Sequence, residues 1–283
     1  MELAGTIPEI SVLMSVYNPK DRDSFFAAVS SVISQSFADW EMVLYDDGSD
    51  AEGAALIKEA AALDPRIIYT RGEENLGLGH GLNASLTLSK GRYIARMDGD
   101  DISRPGRFAK QYEFLENHPY YQWVGTNSEL IDESGRWGIW RMPKEPGPQD
   151  FLKFSPYVHP SVMFRRDVLE AAGGYNEDNR RAEDYDLFMN LHADGFKGYN
   201  LQEVLFCYRE DRLAYSRRKF VYQIYEMGVR IRGFRRLGLL KFGNLAYVLK
   251  PVFVGLIPHS FLAKIKRRMR RGTYVEGRKR RAA

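Results

Sequence analysis

The feature that most constrains the fold is an alternation of short apolar runs with longer amphipathic segments along the first third of the chain. The run 10–16 (ISVLMSV) carries no charge and has the length of a strand buried on both faces. We predict strands at 10–16, 41–45, 66–70 and 93–97, and helices at 23–36, 51–63 and 79–90. This order predicts an α/β fold with a right-handed, doubly wound, mainly parallel sheet.

Weaker patterns cover the rest of the acidic part of the chain. We expect helices at 105–117, 166–172 and 182–193, and strands at 124–131, 161–164 and 204–209. The segment 136–150 holds three prolines and two glycines, so we predict that it is an exposed loop.

The charge of the chain is divided unevenly, although its total is only +4. Residues 1–211 contain 21 Lys and Arg against 35 Asp and Glu, a balance of −14, whereas residues 212–283 contain 20 against 2, a balance of +18. A basic region attached to an acidic body predicts contact between that region and an anionic surface. Anionic lipid is favoured over nucleic acid, because the chain has no nucleic-acid recognition motif.

Within the basic region we predict a helix at 217–237, followed by an apolar segment at 242–263. The longest uncharged part of that segment, 251–263, is shorter than the roughly 20 residues that cross a bilayer. We therefore interpret 212–283 as a basic amphipathic helical extension that lies on a membrane surface. The alternative is a helical subdomain that packs on the body of the protein and has a basic outer face.

Two further observations bear on the compartment. Cys207 is the single cysteine, which excludes an intrachain disulfide and fits a reducing environment. The N-terminus lacks a basic segment followed by an apolar one, so a signal peptide is not expected. We predict a cytoplasmic protein that is peripheral on the inner face of the plasma membrane.

The sequence Asp98-Gly99-Asp100-Asp101 follows the fourth predicted strand. Adjacent carboxylates repel and lose hydration inside a strand, so they should lie in a loop at its carboxyl end, where ligands bind in parallel sheets. Asp98 and Asp100 can hold a hard divalent cation that also binds phosphate oxygens. The alternative is an acidic surface turn.

A second acidic turn, Asp46-Asp47-Gly48, ends the second predicted strand, and Tyr17 follows the first. A carboxylate there can accept hydrogen bonds from a base or a ribose, and an aromatic ring can stack on a base. The alternatives are an ordinary Asp-Gly turn and simple packing of the tyrosine. The segment 75–81 (NLGLGHG) has G-x-G-x-G spacing, not the G-x-G-x-x-G of dinucleotide-binding proteins, but its glycines would permit close approach to a ligand.

A third acidic cluster, Glu183-Asp184-Tyr185-Asp186, opens a predicted helix. Asp184 shares a face with the apolar residues three, four and seven positions later, whereas its neighbours are predicted to lie on other faces. We predict that Asp184 is a general base whose pKa is raised by partial burial and nearby acids. The alternative is a favourable contact of acids with a helix N-terminus.

Several segments resemble family 2 glycosyltransferases with the GT-A fold, in the expected order and at suitable spacings. They are ISVLMSVYN, SVISQSFADWEMVLYDDGSD, GRYIARMDGDD, HPSVMFRR, GGYNED and AEDYDLFMNL, and together they span about residues 8–211. The resemblance implies a catalytic domain at 1–211, with a nucleotide-sugar-binding half at about 8–101 and an acceptor half at 102–211. It implies inverting transfer from a nucleotide-diphosphate sugar, with Mg²⁺ or Mn²⁺, to a hydroxyl acceptor.

The resemblance also implies residue roles. Asp100 would be the direct metal ligand, Asp98 would face both ribose and metal, and Asp184 would deprotonate the acceptor. The predicted donor-binding residues are Ser15, Tyr17, Asp46, Asp47, Asn75, Gly77, Asn83, Asp98 and Gly99. His159 and Glu183 are predicted to line the acceptor side. No Gln-x-x-Arg-Trp motif of processive synthases is found, so we expect a single-transfer enzyme.

Two other functions stay open at this point. A sugar-phosphate nucleotidyltransferase would share the fold and a metal-bound diphosphate, but it favours a basic, glycine-rich loop where this chain has Tyr17-Asn18-Pro19-Lys20. A non-catalytic membrane-surface binding protein on the same scaffold would not need three intact acidic clusters. The acceptor itself is expected to be a saccharide, lipid-linked or at the cell surface.

Overall fold

The computed structural model describes residues 7–179, 181–210 and 220–258, and beyond them residues 261, 264, 265 and 268. Parts of the predicted extension, 212–219 and most of the basic run at 264–271, lie outside the described residues.

The described residues form one nine-stranded sheet flanked by helices. Its strands are β1 (Ile10–Val16), β2 (Trp40–Asp46), β3 (Ile67–Arg71), β4 (Tyr93–Arg96), β5 (Ile102–Ser103), β6 (Trp123–Asp132), β7 (Gly135–Trp140), β8 (Met163–Arg165) and β9 (Gly198–Arg209). The spatial order is β3-β2-β1-β4-β8-β6-β9-β5, and β7 pairs with β6. The pairs among β1 to β4 are parallel, as is β6 with β9, whereas β8, β5 and β7 join antiparallel. The predicted mainly parallel sheet is confirmed.

Eight helices cover the two faces of this part of the chain. They are α1 (Arg22–Ile33), α2 (Ala51–Ala61), α3 (Leu78–Leu88), α4 (Arg107–Asn117), α5 (Arg166–Ala171), α6 (Glu183–Ala193), α7 (Val221–Arg236) and α8 (Leu245–Gly255). Side chains alternate along β1, so Val12 faces the core beneath α1, α2 and α4, whereas Leu13 faces the core beneath α3 and α6. Both faces of the strand are therefore buried, as its uncharged sequence predicts.

Two short elements differ from prediction because tertiary pairing outweighs local composition. Residues 136–140 belong to β7, which pairs with β6 across a turn at Gly135 (φ +97°), so the predicted loop is wrong there. The prolines of the segment come only after this strand. The two-residue strand β5 gives no sequence signal, and it exists because Ile102 pairs with Cys207 of β9. That pairing holds the loop 97–101 against the end of β9.

Helix α7 packs against both α8 and α6. Val229 and Phe234 of α7 and Val248 of α8 are buried in the same core as Phe188 of α6. The described part of the C-terminal region is therefore helical and attached to the acidic body. Among the described residues, no helix combines the length and the apolar character that crossing a membrane would require.

Phe188 tests the core that attaches α6 to the sheet. Its ring is fully buried and stacks on Phe164 at 5.8 Å between ring centroids. Replacing it with alanine leaves a cavity, so we expect Phe188→Ala to lower the free energy of unfolding by about 3–5 kcal/mol. Urea denaturation measures this loss. The control is Leu88→Ala, whose side chain is exposed, and for which a change within about 0.5 kcal/mol is expected.

Candidate active site

The carboxyl ends of β1, β2 and β4 meet at one edge of the sheet. Val16 pairs with Asp46, and Leu13 pairs with Arg96, so the residues that follow these strands emerge side by side. Tyr17, with half of its side chain exposed, lies at this edge. The structure thus brings the first two acidic turns to the position where open α/β sheets bind ligands.

Asp46 and Asp47 are both buried, and each holds a different part of this edge. Asp46 accepts hydrogen bonds from the Ser49 N–H (2.8 Å) and the Tyr69 hydroxyl (3.1 Å), which fixes the turn. Asp47 accepts hydrogen bonds from the backbone N–H groups of Leu76 (3.0 Å) and Gly77 (2.9 Å). Burial raises the pKa of Asp47 even though these two bonds favour its charged form.

The glycine-rich segment reaches β2 because a glycine allows it. Gly48 has φ +70°, and a Cβ there would lie 2.4 Å from the backbone carbon of Glu74. Asn75 and Gly77 are therefore held beside Asp47, as the shared ligand site requires. Ser15 is buried against α3, because a Cβ at Gly81 would lie 2.1 Å from its hydroxyl oxygen. This contact favours a packing role for Ser15.

The loop after β4 is held from both ends. Asp98 Oδ1 lies 2.6 Å from Arg96 Nη1, and the Asp98 side chain stays partly exposed. Asp100 is exposed, and its backbone carbonyl accepts a hydrogen bond from Arg209 Nε (3.0 Å). Gly99 packs its backbone near Val16, where an added Cβ would lie 3.1 Å from a methyl group.

Asp101, which the sequence analysis did not assign, is the buried member of this loop. Its Oδ1 accepts a hydrogen bond from the Arg209 N–H (2.7 Å) at the end of β9. Burial raises its pKa well above the ordinary value, and the charges of Asp100 and Asp98 add to the rise. Asp101 thereby fastens the loop, and the only sequence signal for it is the third acid in the run.

The residues of this loop fit a divalent cation bound together with a diphosphate. Among the described residues, no three Asp, Glu, His or Cys side chains form a cluster that could hold a metal by themselves. A Mg²⁺ site completed by substrate phosphates needs only one or two carboxylates, however. Asp98 and Asp100 supply two such groups in an exposed loop.

Asp184 lies in the first turn of α6, half-buried beside Glu183. Burial and the Glu183 charge raise the pKa of Asp184 to about 7, which is the direction that the sequence analysis predicted for this carboxyl. One expectation is wrong: Asp186 does not lie on an outer face but is buried, within 3.5 Å of the Asn176 and Asn190 amides. Those polar partners compensate its burial, which a helical wheel cannot show.

His159 and Asn83 are engaged with one segment, 173–179. His159 is buried, its Nε2 lies 2.8 Å from the Tyr175 hydroxyl, and burial lowers its pKa well below the ordinary value. Asn83 exchanges hydrogen bonds with the backbone of Tyr175 and donates to Glu177 (2.7 Å). These contacts favour positioning roles for both residues. Tyr175 and Glu177 were missed as separate residues, although the GGYNED motif contains them.

Segment 173–179 therefore joins the donor side to the acceptor side. Asn83 belongs to α3, whose N-terminus is held by Asp47, and Tyr175 lies close enough to Asp184 for their charges to interact. Arg96 interacts electrostatically with Asp98, Glu183 and Asp184. Hydrogen bonds and charge interactions thus link the three acidic clusters.

A family model described as "Glycosyl transferase family 2" matches residues 11–173 of the chain, which is more than half of it. The chain belongs to this glycosyltransferase family. It is 37% identical over 258 residues to EpsE of Bacillus subtilis strain 168, covering 90% of this chain and 92% of that protein. It is 29% identical over 277 residues to an Escherichia coli enzyme, UDP-Gal:alpha-D-GlcNAc-diphosphoundecaprenol beta-1,3-galactosyltransferase, covering 94% and 98% of the two chains.

Solved structures support the GT-A fold of this glycosyltransferase. Residues 1–349 of S. aureus TarS in complex with UDP-GlcNAc superpose with a TM-score of 0.63 at 14% identity, covering 95% of this chain and 92% of that one. The mannosyltransferase PcManGT of Pyrobaculum calidifontis, in complex with GDP-Man and Mn²⁺, gives a TM-score of 0.59 at 17% identity, with 92% and 74% covered.

The pKa of Asp184 generates a pH prediction for this glycosyltransferase. A base with a pKa of about 7 is protonated below that pH, so we expect turnover to fall about tenfold per pH unit on the acid side. Asp184→Asn should lower turnover by about 10²-fold or more while donor binding, measured by calorimetry, changes little. Asp186→Asn on the same helix is the matched control and should keep the wild-type pH profile. Near wild-type turnover of Asp184→Asn would show that the base is wrongly assigned.

Proposed function

We propose that this glycosyltransferase moves a sugar from a nucleotide-diphosphate donor to a hydroxyl of a lipid-linked saccharide, with inversion at the anomeric carbon. The observation that carries the proposal is the half-buried carboxylate of Asp184. Arg96 interacts with this carboxylate through its charge and also contacts Asp98 in the acidic loop. A group that can accept a proton near neutral pH therefore lies next to a candidate diphosphate site.

The donor binds at the carboxyl edge of β1, β2 and β4. The exposed ring of Tyr17 stacks on the base, a contact worth about 1–3 kcal/mol in nucleic-acid complexes. Asp47 holds the segment that contains Asn75 and Gly77 by accepting hydrogen bonds from its backbone, and it faces the nucleotide base. Asp46 stabilises the turn that carries Asp47. Asp98 and Gly99 approach the ribose.

Asp98 and Asp100 are the residues that would hold Mg²⁺ or Mn²⁺. The chemistry that such a cation would supply here is Lewis-acid stabilisation of the negative charge on the departing nucleoside diphosphate. Arg96 Nη1 lies 2.6 Å from Asp98 Oδ1 and keeps the Asp98 side chain in place for this task.

Asp184 takes the proton of the acceptor hydroxyl while that oxygen forms the new bond to the anomeric carbon. The bond from this carbon to the donor phosphate breaks on the opposite face, and the electron pair leaves with the nucleoside diphosphate. One base and one displacement give inversion. Glu183, next to Asp184, raises the basicity of that carboxylate and lines the acceptor side, with His159 supporting Tyr175 behind it.

Asp100→Ala tests the donor site. We expect the metal-dependent gain in melting temperature on adding UDP-sugars or GDP-mannose with Mn²⁺ to disappear, because a ligand bound only to the folded state stabilises it. A screen by thermal shift, with EDTA as the metal-free arm, measures this. Asp39→Ala, at an exposed acid that precedes β2 at the amino end of that strand, is the control. A metal-dependent gain in Asp100→Ala as large as that of the wild type would contradict the proposal.

The released product separates the alternatives. A glycosyltransferase releases a nucleoside diphosphate, whereas a nucleotidyltransferase releases pyrophosphate. A non-catalytic binding protein releases neither, even as slow hydrolysis of the donor.

The acceptor is assigned to a membrane because of the outer face of the C-terminal helices. One stripe of apolar side chains along α8 is exposed, at intervals of three or four residues: Phe242, Leu245, Leu249, Phe253 and Leu256. A stripe of this kind lies on one side of a helix and marks an interaction surface. Phe220 and Ile224 at the start of α7 are exposed as well, and Gly255 packs against Phe220, so the two patches meet.

The charge around the stripe favours an anionic bilayer over a second copy of the chain. Residues 220–258 contain six Lys and Arg but one acid, Glu226. A twofold dimer through this face would bring two basic surfaces together. Anionic headgroups instead attract such residues while the apolar stripe enters the interface. We infer from this charge that the enzyme is a peripheral protein on the cytoplasmic leaflet, where the saccharide of a diphospholipid acceptor would be exposed.

Vesicle sedimentation with the full chain tests this surface. We expect binding to vesicles that contain phosphatidylglycerol and weak binding to phosphatidylcholine alone. Phe253→Ser with Leu256→Ser should weaken binding by about tenfold or more, since each large apolar side chain contributes about 1.5–3 kcal/mol when buried. Leu63→Ser, an exposed leucine at the end of α2, is the control. Unchanged binding of the double variant would remove the membrane assignment without affecting the donor site.

A further inference from the structure

Arg96 is a buried cation that the expected catalytic residues do not include. It is the last residue of β4, and its side chain is 1% exposed. Because side chains alternate along a strand, it lies on the same sheet face as Ile94, toward α3 and α6. The start of α6 and Tyr175 lie on that face, and the charge of Arg96 acts both on Asp98 in the metal loop, residues 97–101, and on Asp184.

The hydrogen bonds of Arg96 do not explain its burial. Nη1 donates to Asp98 and to the Met97 carbonyl, but Nε and Nη2 have no acceptor among the residues that the structure describes. Buried donors without a partner cost free energy. A guanidinium retained only for folding would have its donors used. The reason for this arginine is therefore to be sought in its charge.

Arg107, the other fully buried arginine near this loop, gives the contrast. Each nitrogen of its guanidinium has a partner: Nε donates to Gln111 (2.9 Å), Nη1 to Ser103 (3.4 Å) and Nη2 to the Arg96 carbonyl (2.8 Å). Burial and the charge of Arg96 lower the pKa of Arg107 to about 9. The nearby acid that favours its charge is Asp101, not Glu183 or Asp184.

The carboxylates around Arg96 come from distant parts of the chain. Burial disfavours its charged form, but Asp98, Tyr175 and Glu183 together outweigh this and raise its pKa above the ordinary value. The charge of Arg96 in turn lowers the pKa of Glu183 and of Asp184 against their burial. Without it, the acids of the metal loop and of α6 would repel one another across the site.

We propose that Arg96 is a positioning residue, whose buried guanidinium holds the metal loop and the start of α6 together before the donor binds. It fixes Asp98 by direct contact and Asp184 through its charge. This inference rests on the proposed role of Asp184 only where the pH dependence of turnover is measured. A separate measurement of stability tests the charge balance of the site with no metal, donor or turnover involved.

The charged groups that face Asp184 determine how the removal of Arg96 would change the pH dependence of turnover. They are Glu183 on α6, Glu226 on α7 and Arg96 on β4, with the Tyr175 hydroxyl nearby. Arg96 favours the Asp184 carboxylate and the two glutamates disfavour it. Removing the cation raises the pKa of the base, so the acid limb of turnover moves to higher pH.

The experiment compares Arg96→Met, Arg107→Met and Arg96→Met combined with Glu183→Gln, all in the full chain. For Arg96→Met we expect the acid limb of UDP-sugar turnover to move up by about one pH unit, with a fall in kcat larger than the rise in KM. We expect Arg107→Met to be less stable than the wild type, with the acid limb of its turnover at the wild-type pH. In the double variant, Glu183→Gln should move the acid limb back to lower pH, because it removes a negative charge that raises the pKa of Asp184.

Melting temperature in EDTA supplies the second readout. Arg96→Met should melt below the wild type, and the double variant above Arg96→Met, which a merely structural arginine would not produce. If Arg96→Met does not fold, two other variants test the proposal. Glu183→Gln alone must move the acid limb to lower pH, and Arg96→Lys, which keeps the cation, must leave it near the wild-type pH. An unmoved limb in Arg96→Met, or no recovery in the double variant, overturns the proposal. Failure of Asp184→Asn to lose turnover, with recovery of stability intact, would overturn the base and leave Arg96 standing.

Discussion

The interaction between one buried guanidinium and the carboxylates around it underlies the whole site. Arg96 contacts Asp98 and shares its charge with Glu183 and Asp184, which belong to segments almost ninety residues apart. Like charges that meet in a partly buried place repel strongly unless a cation lies among them. The proposed metal and the donor diphosphate add further charge to that place, so the balance has to exist in the protein before they arrive.

The sheet supplies the geometry in which this balance works. Parallel strands deliver Tyr17, Asp47 and Asp98 to one edge, and the antiparallel pair β5–β9 holds the acidic loop there through Asp101. Asn83 then links α3 to the segment of Tyr175, which borders α6. Donor and acceptor sides are thus connected by hydrogen bonds between side chains and backbone, while the two hydrophobic cores fix the layers beneath them.

The C-terminal helices give the same enzyme a second kind of surface. They contribute Val229 and Phe234 to the core shared with α6, yet they leave Phe253 and Leu256 exposed. Glu226 of α7 also acts on Asp184 through its charge. Helix α7 therefore carries part of the proposed membrane face and a charge that acts on the proposed base, which would keep the acceptor-side residues at a constant distance from the lipid surface.

The sequence by itself determined the order of strands and helices, the parallel core and the three acidic clusters, because these depend on local periodicity and on the incompatibility of charge with strand interiors. It also located Asp184, since helical spacing is a local property. Only the tertiary structure decided that Asp46 and Asp101 serve as buried supports, that Asp186 is enclosed by amides, and that β5 and β7 exist. It alone placed Arg96 between Asp98 and α6. Such roles arise from pairing between segments far apart in the chain, and the energy of a buried charge depends on every group folded around it.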